Sequence, residues 1–257
     1  MIPTLFRSAF GLSLDEIGIS LVNMSSTVFS NLAAIFDDER VRRRCAIITD
    51  GDVSIVKLPK DESTDSKFVR ACRNSQAAGL LRRKKLDKLV RNNRWLDAFY
   101  SRHTFEVDFL RRGNRSIFTK SIPQVFTDKN RIRESEKRLA DSDIAVCGKE
   151  ALHLANTAGK GWFALHLAEG VSPNTRIPKY ILQAIAFAAK DTITDQALKQ
   201  MGVYRLEKTR RVMHAAKKAT SSLDEMKTLP ETDFVDMYQC SFVDDDLTII
   251  LEFLNAG

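Results

Sequence analysis

The residues with most capacity for chemistry lie in three separate stretches of the 257-residue chain. The first is Thr49-Asp50-Gly51-Asp52, which follows the apolar run Cys45-Ala46-Ile47-Ile48. Two carboxylates one residue apart, with a glycine between them to let the backbone turn sharply, suit a hard divalent cation such as Mg²⁺. The same four residues also make an ordinary Asp-Gly turn with solvated acids. The second stretch, Thr104-Phe105-Glu106, is read as the end of a strand. There Glu106 is a candidate metal ligand or water-positioning group and Thr104 a candidate phosphate donor. The rival reading makes Thr104 a helix cap. In the third, Gly159-Lys160-Gly161-Trp162-Phe163-Ala164, Lys160 lies at a helix junction where its ammonium could meet an anion. The loop lacks the spacing of a phosphate-cradling Walker sequence, and a helix-ending glycine beside an exposed lysine is the rival there. Asp244-Asp245-Asp246, before the apolar run Leu247–Leu254, reads as a helix cap rather than a metal site.

These stretches need elements to hold them. Apolar spacing predicts a helix over 4–17 stopped by Gly18, a short strand at Ile19–Asn23, a polar turn at Ser25–Thr27 and a helix over Phe29–Asp38. Cys45–Asp50 has no alternation, as in a strand buried on both faces of a parallel sheet. A loop over 53–65, a long basic helix from Ser66 to Asn92 and a strand at Trp95–Tyr100 follow. The pattern is helical from Arg131 to about Thr157 and again over Trp162–Glu169. Pro178 suits the first turn of a helix over Lys179–Lys190, and 195–257 is mostly helical. Helix and strand alternating in this order argue for an α/β fold.

Composition narrows the classes further. The chain is 44% apolar and carries a net charge of +7, with cations clustered at Arg40–Arg44, Arg82–Lys88, Arg91–Arg94 and Arg205–Lys218. Such clusters suit a polyanion, and basic helix faces are equally common as solvated surface. Arg82, Arg83, Lys84, Lys85, Arg91 and Arg94 are the expected DNA contacts. Cys45, Cys72, Cys147 and Cys240 are scattered, as are the four histidines, so reduced buried thiols are expected and no zinc site is visible. The apolar runs Ile181–Ala189 and Leu247–Leu254 are too short to span a bilayer, and Met1–Leu5 lacks the features of a secretory signal. A soluble cytoplasmic chain with no membrane partner is expected.

Taken in order, Ile48-Thr49-Asp50-Gly51-Asp52, Thr104-Phe105-Glu106 and Gly159-Lys160-Gly161-Trp162-Phe163-Ala164, followed by Ile177-Pro178, resemble the TOPRIM domain of OLD-family (overcoming lysogenization defect) ATP-dependent endonucleases. The resemblance covers roughly 1–190. It implies a TOPRIM-like parallel sheet flanked by helices, metal-dependent DNA cleavage and a link to phage defence. Asp50 and Asp52 would be ligands to Mg²⁺ or Mn²⁺, and Glu106 would belong to the surroundings of a second ion. Thr104 would support that site, and Lys160 would stabilise charge on the scissile phosphate. Two such ions, about 3.5–4 Å apart, stabilise both the attacking and leaving oxygens.

The chain departs from the family at its start. The family's domain opens with a strand ending in Glu-Gly and carries a further Glu in the next helix, whereas Met1-Ile2-Pro3-Thr4-Leu5-Phe6 resembles the continuation of that helix. Glu16 lies too far along to replace the missing acids. The expectation is therefore a fold lacking its first strand and an N-terminally truncated endonuclease module without its ATPase domain. Such a fragment would have little activity and a tendency to associate with a second copy. Expected blocks are 1–130 for the incomplete nuclease core, 131–194 for a helical continuation with the lysine motif, and 195–257 for a helical tail. The alternative function is a non-catalytic nucleic-acid-binding remnant working through the basic helix.

Overall fold

In the computed structural model, residues 1–24, 29, 33–218 and 223–256 are described. Most of the chain is helical, and a two-stranded parallel sheet accompanies the helices. Strand β1, Cys45–Thr49, pairs with β2, Leu96–Tyr100. Cys45 N–H donates to the Trp95 carbonyl at 2.7 Å and Ser101 N–H to the Thr49 carbonyl at 3.1 Å. Helix α1, Ile2–Phe10, precedes the sheet, and the crossover between the strands carries the long basic helix α2, Lys67–Val90. Ser66 caps α2 by accepting from Val69 N–H at 3.3 Å. The sheet is smaller than the α/β expectation. Of β1 only Ile47 is fully buried, because two strands leave much of each face without a covering layer.

Several local expectations are corrected. The first helix ends at Phe10 instead of running to 17, because Gly11 turns left-handed at φ 77°; a single 3-10 turn, Asp15–Ile17, then ends at Gly18. Ile19–Asn23 forms no strand. Its backbone finds no sheet partner, and Leu21 and Val22 are exposed. The turn at Ser25–Thr27 lies outside the described residues, as do 30–32 of the helix expected over Phe29–Asp38; in the remainder only Ala33 is helical. Thr104-Phe105-Glu106 does not end a strand but opens helix α3, Phe105–Arg111.

After α3 come α4, Arg115–Val125; α5, Lys129–Ala140; α6, Ile144–Ala158; and α7, Lys160–Glu169. The helical stretch expected from Arg131 to Thr157 is thus two helices, capped separately by Asp128 and Asp143. The C-terminal helices are α8, Lys179–Ala189; α9, Asp195–Lys208; α10, Arg210–Lys218; α11, Leu223–Thr228; α12, Glu231–Ser241; and α13, Asp246–Asn255.

Two compact units emerge, with boundaries at 47/48, 92/93, 99/100 and 170/171. One comprises 48–92 and 100–170, together with Met1. Its core is aromatic: Phe109 packs on Phe105 at 5.4 Å and on Phe118 at 6.0 Å, and Phe118 meets Phe163 at 5.7 Å between ring centroids. Buried Glu150 ties α5 to α6, accepting from Arg131, Ser135 and Arg138. The other unit comprises 2–47, 93–99 and 171–257. Phe6, Phe10, Leu182, Met201, Phe234 and Leu247 are among its buried apolar residues. There Asp245 caps α13, as expected, but is also buried in a two-point ion pair with Arg205 at 2.5 and 2.6 Å. The apolar runs Ile181–Ala189 and Leu247–Leu254 belong to α8 and α13, which bury residues in this unit. No helix among the described residues is long and apolar enough to cross a membrane.

Candidate functional site: an acidic loop at the end of β1

Asp50 follows β1 directly and begins a loop whose shape is set by its neighbours. Asp52 N–H donates to the His103 carbonyl at 2.8 Å, and Val53 N–H to the Arg102 carbonyl at 3.0 Å. This pairing brings the segment after β1 against the segment after β2. Gly51 is required at the closest point, since a Cβ there would stand 2.2 Å from the Ser101 carbonyl oxygen. Asp52 adopts the left-handed region at φ 54°, uncommon for a residue with a side chain.

The Asp50 carboxyl is held from two directions. Its Oδ1 accepts from Ser101 Oγ at 3.1 Å and from Phe105 N–H, in the first turn of α3, at 3.0 Å. Ser101 Oγ accepts in turn from Gly51 N–H at 3.2 Å. His103 closes the loop from behind. Its Nδ1 donates to the Val53 carbonyl at 2.6 Å, which leaves Nε2 to accept from Arg111 Nη1 at 3.4 Å. Ser101 and His103 were not singled out in the sequence; their signal is only that a serine and a histidine follow the second strand directly.

Electrostatics joins the three sequence stretches. Burial pushes the Asp50 carboxyl up to about 6, the charges of Glu106 and Asp52 add to the rise, and the Ser101 hydrogen bond and the Lys160 charge oppose it. Asp50, Asp52, Glu106 and Lys160 are therefore electrostatic neighbours although 110 positions separate the first from the last. Glu106 is buried, at 9% exposure, and its carboxylate makes no hydrogen bond or ion pair among the described residues. Thr104 precedes α3 but does not cap it; its Oγ1 is buried without a partner. Among the described residues the other buried, unpartnered side-chain atom is Arg82 Nε, in the same loop cluster. Each such atom costs about 1–3 kcal/mol, so two of them at one place mark a locality not optimised for stability.

The expected DNA contacts divide. Arg82 is not available: its Nη2 donates to the Asp50 carbonyl at 2.5 Å and to Asp52 Oδ2 at 2.6 Å. The reason is position, because α2 turns Arg82 inward over the loop one helical turn after Gly79. Arg83 lies over the Tyr100 ring at 4.8 Å and pairs with Asp87. Lys84, Lys85 and Arg91 are exposed and make no ion pair among the described residues. Arg94 belongs to the other unit, where it pairs with Asp38 at 2.7 Å and covers Trp95. Arg205, in the last expected cluster, is buried. Of the cysteines, Cys240 is exposed, contrary to the expectation of buried thiols.

The donor set can be tested against a metal ion. Mg²⁺ is commonly held by one or two carboxylates, with water and phosphate completing the shell. Asp50 and Glu106 are hard oxygen donors without a salt-bridged cation among the described residues, and the charge of Glu106 disfavours that of Asp50; that pair fits. Asp52 does not, being already neutralised by Arg82. Accordingly, no group of three His, Cys, Asp or Glu residues among the described residues is arranged to hold a metal ion. A cavity of about 670 Å³ elsewhere in the same unit, lined by Leu110, Arg111, Arg115, Asp141 and Asp143, includes none of the expected site residues. The acidic loop is the better candidate because it holds Asp50, whose carboxyl is pushed well above its ordinary value.

No protein-family model, curated protein or solved structure matches the chain.

Proposed function

We propose that the unit containing 48–92 and 100–170 is a small TOPRIM-like phosphodiester-hydrolysing module, similar in motif order to the OLD-family endonucleases, acting on DNA with Mg²⁺ or Mn²⁺. The observation that carries this reading is the half-buried Asp50 carboxyl, held by Ser101 Oγ and by Phe105 N–H at the start of the helix that carries Glu106, with Asp52 and Lys160 within electrostatic reach. A buried glutamate beside two half-buried aspartates, with a lysine within electrostatic reach, suits a site that handles a phosphate and a cation.

In this reading Asp50 and Glu106 hold the cation, and Ser101 Oγ and Phe105 N–H orient Asp50. When bound, the cation polarises a phosphoryl oxygen and offsets developing negative charge. Lys160 supplies a second positive charge to the phosphate as the transition state forms. Thr104 Oγ1 is a donor for a phosphate or water. Lys84, Lys85 and Arg91 contribute sequence-independent attraction for the DNA backbone.

Cation-dependent nicking of supercoiled plasmid tests the assignment, with wild type read against D50N and K160M under the same conditions. Slow nicking that needs Mg²⁺ or Mn²⁺ and falls at least tenfold in each variant is expected. Equal rates in wild type and variants would remove the catalytic reading. The exposed, unpaired cations of α2 favour one second reading, non-catalytic nucleic-acid binding. Its mark is salt-sensitive DNA affinity indifferent to Asp50.

A further inference from the structure

Helix α2 approaches the acidic loop as closely as glycine allows. A Cβ on Gly79 would stand 2.7 Å from the Gly51 carbonyl oxygen and 2.9 Å from Asp52 Cβ. Arg82 lies three residues further along, on the same helix face, so this contact delivers its guanidinium onto the loop. One nitrogen, Nη2, reaches both the Asp50 carbonyl and the Asp52 carboxylate. The side chains of Arg82 and Asp52 are only 16% and 20% exposed, so the pair is poorly screened by water.

The left-handed backbone at Asp52 and its N–H bond to His103 fix that residue from the other side. Asp52 is thus committed to a positive charge that belongs to the chain itself. Arginine does not lose its proton at any pH a protein tolerates, so the partner cannot be withdrawn by neutralisation. Asp50 and Glu106 form no ion pair among the described residues, although the Lys160 charge acts on Asp50.

We propose that Arg82 is a positioning residue standing in for a second metal ion. Its guanidinium neutralises Asp52 and holds the Asp50 main chain, so that the loop takes one divalent cation, on Asp50 and Glu106, instead of two. The proposal rests on the cation-binding reading above and departs from the two-ion arrangement that the family resemblance implies. It also makes Asp52 a support of the loop and not a ligand, while a second carboxylate comes from the start of α3.

Mn²⁺ titration of the full chain, followed by loss of the free-ion electron paramagnetic resonance signal, counts ions without requiring turnover. Wild type is expected to bind one Mn²⁺. D50N and E106Q should weaken that binding at least tenfold, and D52N should change it less than threefold. R82M should bind a second ion, or make the first depend on Asp52, so that R82M/D52N binds at least fivefold more weakly than R82M. R82K should stay close to wild type in stoichiometry. If R82M does not fold, the contrast between D52N and D50N decides alone. Two ions in wild type, or D52N as damaging as D50N, would overturn the role of Arg82 while leaving a cation site in place. No Mn²⁺ binding by folded wild type would overturn the cation reading itself.

Discussion

Replacing Asp50 by Asn should stabilise the cation-free protein at neutral pH, even though it removes the central group of the candidate site. The carboxyl titrates near 3.8 when exposed and is pushed up to about 6 in the fold, first by burial and then by Glu106 and Asp52. Between those values the folded chain keeps a proton that the unfolded chain releases. Stability therefore falls as pH rises through this window and levels off above about 6. Each decade of difference is worth about 1.4 kcal/mol, so the cost carried by Asp50 at pH 7.5 is at most about 3 kcal/mol. Asn retains the acceptor used by Ser101 Oγ and Phe105 N–H, both of which bond Oδ1. Its amide N–H groups must find partners, which lowers the expected gain to about 1–2 kcal/mol. Urea denaturation of wild type and D50N at pH 4 and pH 7.5 measures this directly. The two should be nearly equal at pH 4 and separate at pH 7.5, and added Mg²⁺ should raise the stability of wild type only. A D50N protein less stable than wild type at pH 7.5, or a difference that does not change with pH, would refute the claim that partial burial and the neighbouring acids disfavour the charged Asp50 carboxylate in the fold.

Gly79→Ala should destabilise the unit by about 1–3 kcal/mol through overpacking against Gly51 and Asp52, although alanine favours a helix by about 1 kcal/mol; a stabilised variant would show that α2 can back away from the loop. Arg205→Met leaves Asp245 buried without its cation, and denaturation should show a loss of about 3–5 kcal/mol; a loss below about 1 kcal/mol would mean that water reaches the pair. Removing Lys84, Lys85 and Arg91 together should lower the slope of log affinity for duplex DNA against log salt by about 2–3. An unchanged slope would place the DNA contacts elsewhere.

Much of the secondary structure was legible because its causes are local. Ser66 before a long basic stretch starts α2 where a capping serine predicts, and the apolar run Cys45–Thr49 forms β1. Gly18 ends its 3-10 turn through its own positive φ. Local causes also misled. Ile19–Asn23 has the apolar character of a strand but no neighbouring strand among the described residues to receive its hydrogen bonds, and periodicity carries no information about partners. Arg82 reads as one cation in a basic run with Arg83, Lys84 and Lys85, yet it is the member that the helix turns onto Asp52.

The sequence alone determined the types and order of the reactive residues: two acids around a glycine, a Thr-Phe-Glu segment and a lysine between glycines. It also determined the local caps and the charge clusters. Only the tertiary structure decided that Asp50 lies within electrostatic reach of Glu106 and Lys160, that Asp52 is already paired with Arg82, and that Arg205 and Asp245 are buried together. The physical reason is range. Caps and turns act over a few residues of chain, whereas charge interaction and burial depend on distance through space, which no spacing along the sequence records.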